Sequence, residues 1–169
     1  MRHGDQLAEL YAACRARLVV QLTAFTGDVT VAEDIVQEAF ARAAVRWPSV
    51  RRYADPEAWV RHVAFNLARS RWRWFRRRAG SAPLASTGPE FSPDLDGRLD
   101  LYAGLRRLPA QQRQVIVLYY LADLSVDQIA AELQVPAGTV KSWLHRARAQ
   151  LMELLGEAEW PAAEVTSDG

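Results

Sequence analysis

Apolar residues recur three or four positions apart along most of this 169-residue chain, and almost nowhere do they alternate with polar ones. A helix gathers positions i, i+3, i+4 and i+7 on one face, whereas a half-buried strand needs a period of two. Leu7, Leu10, Tyr11, Cys14, Leu18, Leu22 and Phe25 form one such line, and Ile35, Val36, Ala39, Phe40 and Ala43 form a second. No Asn-Gly or Asp-Gly pair sits between two alternating runs, the arrangement that marks a hairpin. The expected fold class is therefore all-α.

Breakers divide the helices. Gly27 closes the first, because glycine accepts the left-handed conformation common just past a helix. A second helix spans about 30 to 45 and stops at Trp47-Pro48, since proline biases its predecessor away from helix. After the basic and aromatic connection 47 to 54, Asp55-Pro56-Glu57 reads as a helix start, with a cap, a first-turn proline and an acid at the positive dipole end. That helix reaches about Arg78. The stretch AGSAPLASTGPEFSP that follows holds three Pro, two Gly and three Ser, the composition of a flexible linker. The expected organisation is two small helical domains, 1–78 and 94–156, joined by a linker at 79–93 and followed by an acidic tail at 157–169.

Other features bound the setting. No apolar run approaches the roughly 18 residues that would span a bilayer. The polar start MRHGDQLAEL lacks the pattern of an export leader. The single cysteine, Cys14, allows neither an internal disulfide nor a cysteine cluster for zinc. These features fit a cytoplasmic protein without metal or cofactor.

Net charge is only +1, but its distribution is uneven. Residues 26 to 40 carry Asp28, Glu33, Asp34 and Glu38 and no base, whereas residues 42 to 78 carry eleven Arg against Asp55 and Glu57. Residues 139 to 150 add Lys141, Arg146 and Arg148 without an acid, and the chain from 153 onward is acidic. Opposed blocks of this kind predict at least two different partner surfaces.

The clearest local signal is LSVDQIAAELQVPAGTVKSWLHRARAQL, residues 124 to 151. Ser125 and Gln128 have the spacing of a capping box, with Leu124 and Ile129 placed as a hydrophobic staple. A short helix at about 126 to 133 is followed by a turn at Gln134-Val135, and Pro136 opens another helix. This is the helix-turn-helix pattern, whose second helix enters the DNA major groove. On that helix Val140, Leu144, Ala147 and Leu151 share one face, and Lys141, Ser142, His145, Arg146 and Arg148 lie off it. Trp143 stands at the edge. Arginine can pair with guanine edges, while Lys and Ser can bond phosphates or bases. Thr139 lies at the helix start, where its hydroxyl and the free N–H groups suit a phosphate. Taken alone, the polar face also fits a solvated helix in a bundle.

Two further segments allow a similar choice. In AEDIVQEAF, Glu33, Asp34, Gln37 and Glu38 face away from Ile35, Ala39 and Phe40, which is a solvated face or a docking face. DPEAWVRHVAFNLARSRWRWFRRR interleaves Trp59, Phe65, Trp72, Trp74 and Phe75 with Arg61, Arg69, Arg71, Arg73 and Arg76 to Arg78. Trp59, Val63, Leu67 and Trp74 share a stripe expected in the core, with Phe65 and Trp72 turned toward the arginines. Basic residues among aromatics suit single-stranded nucleic acid; arginine stems covering apolar surface would give the same pattern.

Together these segments resemble an extracytoplasmic-function sigma factor, closest to the SigE-like actinobacterial group. AEDIVQEAF is similar to the helix that docks on the clamp coiled coil of the largest polymerase subunit. DPEAWVRHVAFNLARSRWR is similar to the helix facing the −10 element, and residues 108 to 151 resemble the whole of region four. The similarity covers about residues 7 to 156. It implies an alternative sigma factor that binds core RNA polymerase, also through the flap of the second-largest subunit. It implies that Glu33, Asp34, Gln37 and Glu38 contact the core. The loop at 47 to 54 corresponds to the one that captures a flipped −10 base, whose unstacking costs a few kcal/mol. Trp47, Arg51, Arg52, Tyr53, Asn66, Arg69, Trp72 and Arg73 become candidates for −10 binding and melting. Thr139, Lys141, Ser142, His145, Arg146 and Arg148 become candidates for the −35 element. The resemblance further implies a linker threading toward the polymerase active-site channel, an anti-sigma partner, a monomer when free of polymerase, and no covalent chemistry. The rivals are a dimeric helix-turn-helix regulator, which would need a dimer seam, and a nuclease, which would need clustered Asp, Glu or His.

Overall fold

The computed structural model describes residues 3–79 and 96–155, and every regular element among them is a helix. The first group comprises α1 (His3–Thr26), α2 (Val29–Val45), the single turn α3 (Trp47–Val50) and α4 (Pro56–Ala79). The second comprises α5 (Asp96–Arg107), α6 (Ala110–Tyr120), α7 (Val126–Leu133) and α8 (Ala137–Leu155). The expected linker beyond Ala79 and the acidic tail lie outside the described residues, as do the side chains of Phe75 and Arg76 to Arg78.

Local chemistry sets the boundaries. Gly27 adopts φ +79 and lets α1 double back into α2. Asp28 then caps α2, its Oδ1 accepting from the backbone N–H of Thr30 at 2.8 Å and of Val31 at 3.1 Å. Asp55 does the same for α4, accepting from Ala58 N–H at 2.9 Å. Each cap satisfies donors that the first turn leaves without an intrahelical partner.

The first core joins Cys14, Leu18, Leu22 and Phe25 of α1 to Ile35, Val36, Ala39, Phe40 and Ala43 of α2 and to Val60, Ala64, Phe65 and Ala68 of α4. The buried stripe of α4 is thus not the expected one. Trp59, Val63 and Leu67 are only half-buried and Trp74 is exposed, whereas Phe65 is fully enclosed and meets Phe25 edge to face at 5.3 Å. The buried arc lies about 130° round the helix from the predicted one. It is lined by small residues, which let α4 lie close against α1 and α2.

The second core is built from Leu105, Leu108, Val115 to Leu118, Ile129, Val140, Leu144, Ala147 and Leu151. It is continuous with the first, so the two helix groups pack directly on each other. Arg113, 1% exposed, stands at the junction. It donates to the carbonyls of Phe25 (2.8 Å), Leu108 (3.0 Å) and Arg106 (3.1 Å). Three buried carbonyls thereby gain a charged donor, and the α5–α6 corner is tied to the end of α1.

Candidate nucleic-acid interface

The geometry of α7 and α8 follows from their sequence. Ser125 and Gln128 form the reciprocal capping box, with Gln128 N–H donating to Ser125 Oγ (3.2 Å) and Ser125 N–H to Gln128 Oε1 (2.9 Å). At the other end Gln134 takes the left-handed conformation, φ 56 and ψ 45. Val135 N–H donates to Ala130 O at 3.1 Å and Gln134 N–H to Ala131 O at 3.4 Å, which is the Schellman closure. A residue with a Cβ here carries a penalty that glycine would not. The turn redirects the chain so that α8 crosses α7, with Val140, Leu144, Ala147 and Leu151 buried beneath it.

Lys141, Ser142, His145 and Arg146 are all exposed, and together they make one polar arc on α8. Trp143 settles inward, half-buried against the core. Two candidates from this helix differ from expectation. Arg148 is half-buried, donates from Nε to the Tyr120 hydroxyl at 2.9 Å, and lies over the rings of Tyr119 (5.2 Å) and Tyr120 (5.6 Å). Its cation is engaged by the fold, because α6 presents two aromatics to that side of α8. Thr139 is half-buried and its N–H donates to Pro136 O at 3.0 Å. Of Thr139 itself, only the hydroxyl remains for a phosphate.

Around the loop between α3 and α4, Arg51, Arg52 and Tyr53 are exposed, Tyr53 by 52%. Trp47 shares a cleft with Arg51 but is turned inward. It is 6% exposed, with its indole N–H buried and unbonded, so its ring is not presented for stacking. The one-turn helix α3 turns this aromatic inward. Along α4, Asn66, Arg69 and Arg73 follow one stripe at helical spacing. The Asn66 amide pairs with His62 Nε2 at 2.9 Å and its oxygen accepts from Arg69. Burial, and then the charge of Arg73, pull the Arg69 guanidinium below its ordinary pKa. Trp72 points elsewhere, its ring 4.9 Å from the Arg113 guanidinium.

On α2, Glu33, Asp34 and Gln37 are exposed and Glu38 is half-buried. Glu38 meets Arg42 at 2.7 Å and Arg71 at 3.4 Å, and Glu33 meets Arg15 at 3.3 Å. Asp34 and Gln37 are thus the most openly presented of the four. Sequence reasoning missed Arg61 and Glu132. These form a fork of three hydrogen bonds, from Nε at 3.2 and 3.1 Å and from Nη2 at 2.9 Å, with both side chains below 10% exposure. Their separation of 71 positions leaves no local signal. Among the described residues no group of three or more His, Cys, Asp or Glu is placed to hold a metal, and no helix is long and apolar enough to cross a membrane.

Residues 10–78 match the sigma-70 region 2 family and residues 98–151 the sigma-70 region 4 family. The chain is 34% identical to the RNA polymerase sigma-E factor of Streptomyces avermitilis over 163 residues, covering 92% of this chain and 89% of that protein. It is 37% identical to the ECF RNA polymerase sigma factor SigL of Mycobacterium tuberculosis over 149 residues, covering 83% and 82%. Among solved structures, the sigma factor RpoE of Bartonella quintana, crystallised with the anti-sigma factor NepR, is similar with a TM-score of 0.69 and 26% identity. That match covers 92% of this chain and 97% of the other.

Proposed function

The chain belongs to the extracytoplasmic-function sigma factors of the sigma-70 family, and from that premise we propose how its surfaces divide the work. It is an initiation subunit, not a catalyst: it binds core RNA polymerase, recognises −35 and −10 promoter elements and starts transcription of a specific set of genes.

The observation that carries the assignment of surfaces is the exposed arc of Lys141, Ser142, His145 and Arg146 on the second helix of a helix-turn-helix whose first helix is capped at both ends. That arc enters the major groove at −35, supported by the Thr139 hydroxyl. Arg51, Arg52 and Tyr53, with Asn66, Arg69 and Arg73 of α4, meet the −10 element and hold its opened strand. Tyr53 is an exposed aromatic able to stack on an extruded base. Asp34 and Gln37, flanked by Glu33 and Glu38, contact the clamp coiled coil of the largest polymerase subunit, while the second helix group meets the flap of the other large subunit. In this division residues 1–78 form the core-binding and −10 domain, 79–93 the linker, 94–156 the −35 domain and 157–169 an acidic tail. The protein acts in the cytoplasm, is monomeric when free, uses no cofactor, and is held in check by an anti-sigma factor.

Run-off transcription with purified core polymerase tests the function. The expected outcome is a promoter-specific transcript that needs both the core and this chain. No binding to the core, together with tight promoter binding by the chain alone, would sink the proposal in favour of a self-sufficient regulator.

A further inference from the structure

The outward face of α8 continues past the residues assigned to DNA. Lys141, His145, Ala149 and Met152 follow one another at steps of four, four and three, and all are exposed, Met152 by 44%. Ser142 and Arg146 lie along the same side of the helix. The Lys141 and Arg146 side chains make no ion pair among the described residues. The face thus carries two unpaired cations and, toward the end of the helix at Leu155, a large apolar side chain that the −35 arc does not use.

The sequence after α8 is complementary to this face. Residues 156 to 169, GEAEWPAAEVTSDG, hold Glu157, Glu159, Glu164 and Asp168, no base, and one aromatic, Trp160. Acids are disfavoured beside the end of α8, where the helix dipole is negative and the last turn holds no base. Toward its start the dipole is positive and Lys141 and Arg146 stand unpaired. These two lie about 21 and 14 Å back along the axis from Leu155, at about 1.5 Å per residue. The chain from Leu155 to Glu164 spans up to about 30 Å when extended, enough for that distance and a half-turn round the helix. We propose that residues 157–169 run back along the outward face of α8, with Trp160 against Met152 and with Glu164 and Asp168 at Arg146 and Lys141, and that they compete with the −35 element for this face. The competition rests on the −35 reading above; the docking does not. Because the segment is tethered beside its target, its effective concentration is high and weak contacts suffice. A sulfur–ring contact and exposed ion pairs are of that kind. The segment then sets a threshold: only DNA whose contacts to the arc outweigh it engages α8.

Paramagnetic relaxation in the free 169-residue chain tests the docking. A nitroxide is placed on Val165→Cys, and Cys14, being fully buried, is left unlabelled. Backbone amides from Lys141 to Met152 should broaden, while the acidic face of α2 should be spared. Combining Trp160→Ala, Glu164→Gln and Asp168→Asn should abolish the broadening. Arg146→Glu should weaken it, and Glu164→Arg added to that variant should restore it. A mixture of spin-labelled chain with unlabelled, nitrogen-15 chain should show none; broadening there would place the segment on a second copy and overturn the intramolecular contact. For the competition, holoenzyme lacking residues 157–169 should bind a promoter with an intact −35 element about 3- to 10-fold more tightly at low salt. Binding to a promoter whose −35 element is replaced should barely change, and the gain should shrink at high salt. The triple substitution, which keeps the length of the chain, should reproduce the gain. No broadening on α8, equal affinity after truncation, or an equal gain on both promoters each overturns the proposal. Docking in the free chain with no −35 preference in either holoenzyme would refute the −35 reading instead.

Discussion

Arg146 and Arg148 stand two positions apart on α8 with the same side chain, yet Arg148 is engaged within the fold and Arg146 is exposed. Arg148 makes one hydrogen bond to the Tyr120 hydroxyl and lies over two rings. Such a bond is worth about 1 kcal/mol net, and the two ring contacts, sharing one cation, add about 0.5–1 kcal/mol. Arg148→Ala should therefore lower folding stability by about 1.5–2 kcal/mol, read as a shift of the urea midpoint in the free chain. Arg146 is exposed, so its alanine variant should change stability by less than about 0.5 kcal/mol. It should instead lose about 1–3 kcal/mol of −35 recognition, roughly 5- to 150-fold in holoenzyme affinity for a promoter with an intact −35 element relative to one with that element replaced. Tyr120→Phe supplies the control: it removes the acceptor, and its cost should not add to that of Arg148→Ala. If Arg148→Ala kept full stability and lost −35 discrimination as strongly as Arg146→Ala, the assigned arc would be wrong by one side of the helix.

Three further substitutions probe separate parts. Asp34→Arg, at the exposed centre of the acidic face of α2, should weaken binding to core polymerase by about tenfold or more while leaving the urea midpoint of the free chain unchanged; equal affinity would remove α2 from the interface. Ser125→Ala breaks the capping box and should cost about 1 kcal/mol of stability, seen in thermal or urea unfolding. Gln134→Gly relieves the left-handed turn and should move the same measurement the other way, by about 0.5–1 kcal/mol; a loss would mean that the Gln134 side chain has a role no contact reveals.

Much of the site was legible because its determinants are local. The capping box, the turn at Gln134, the proline before α8 and the apolar line Val140, Leu144, Ala147 and Leu151 all act within one or two helical turns, and each is where spacing predicts. The same holds for Gly27 at the end of α1 and Asp55 at the start of α4. What periodicity could not supply was the occupancy of the polar residues. Arg148 belongs to Tyr119 and Tyr120 on α6, and Glu38 to Arg42 and Arg71, through contacts that only the packing creates.

Helix α4 shows why the misreading was physical and not accidental. A stripe of large residues, Trp59, Val63, Leu67 and Trp74, outweighs a stripe of small ones on any hydrophobicity count. Burial, however, rewards close approach as well as area, because well-packed atoms gain dispersion contacts that a gap forfeits. Val60, Ala64 and Ala68 let α4 settle against α1 and α2, and the bulky Phe65 fills the remaining space against Phe25. The large stripe is then left at the edge, where Trp59 and its neighbour Arg61 line the cleft toward α7. A lone arginine among apolar neighbours, as at Arg61 or Arg113, is the one warning the sequence carried. A charge on an apolar stripe must find partners, and here both lie across the junction between the two helix groups. Arg61 and Arg113, which periodicity left unplaced, thus help to hold the two halves of the molecule together.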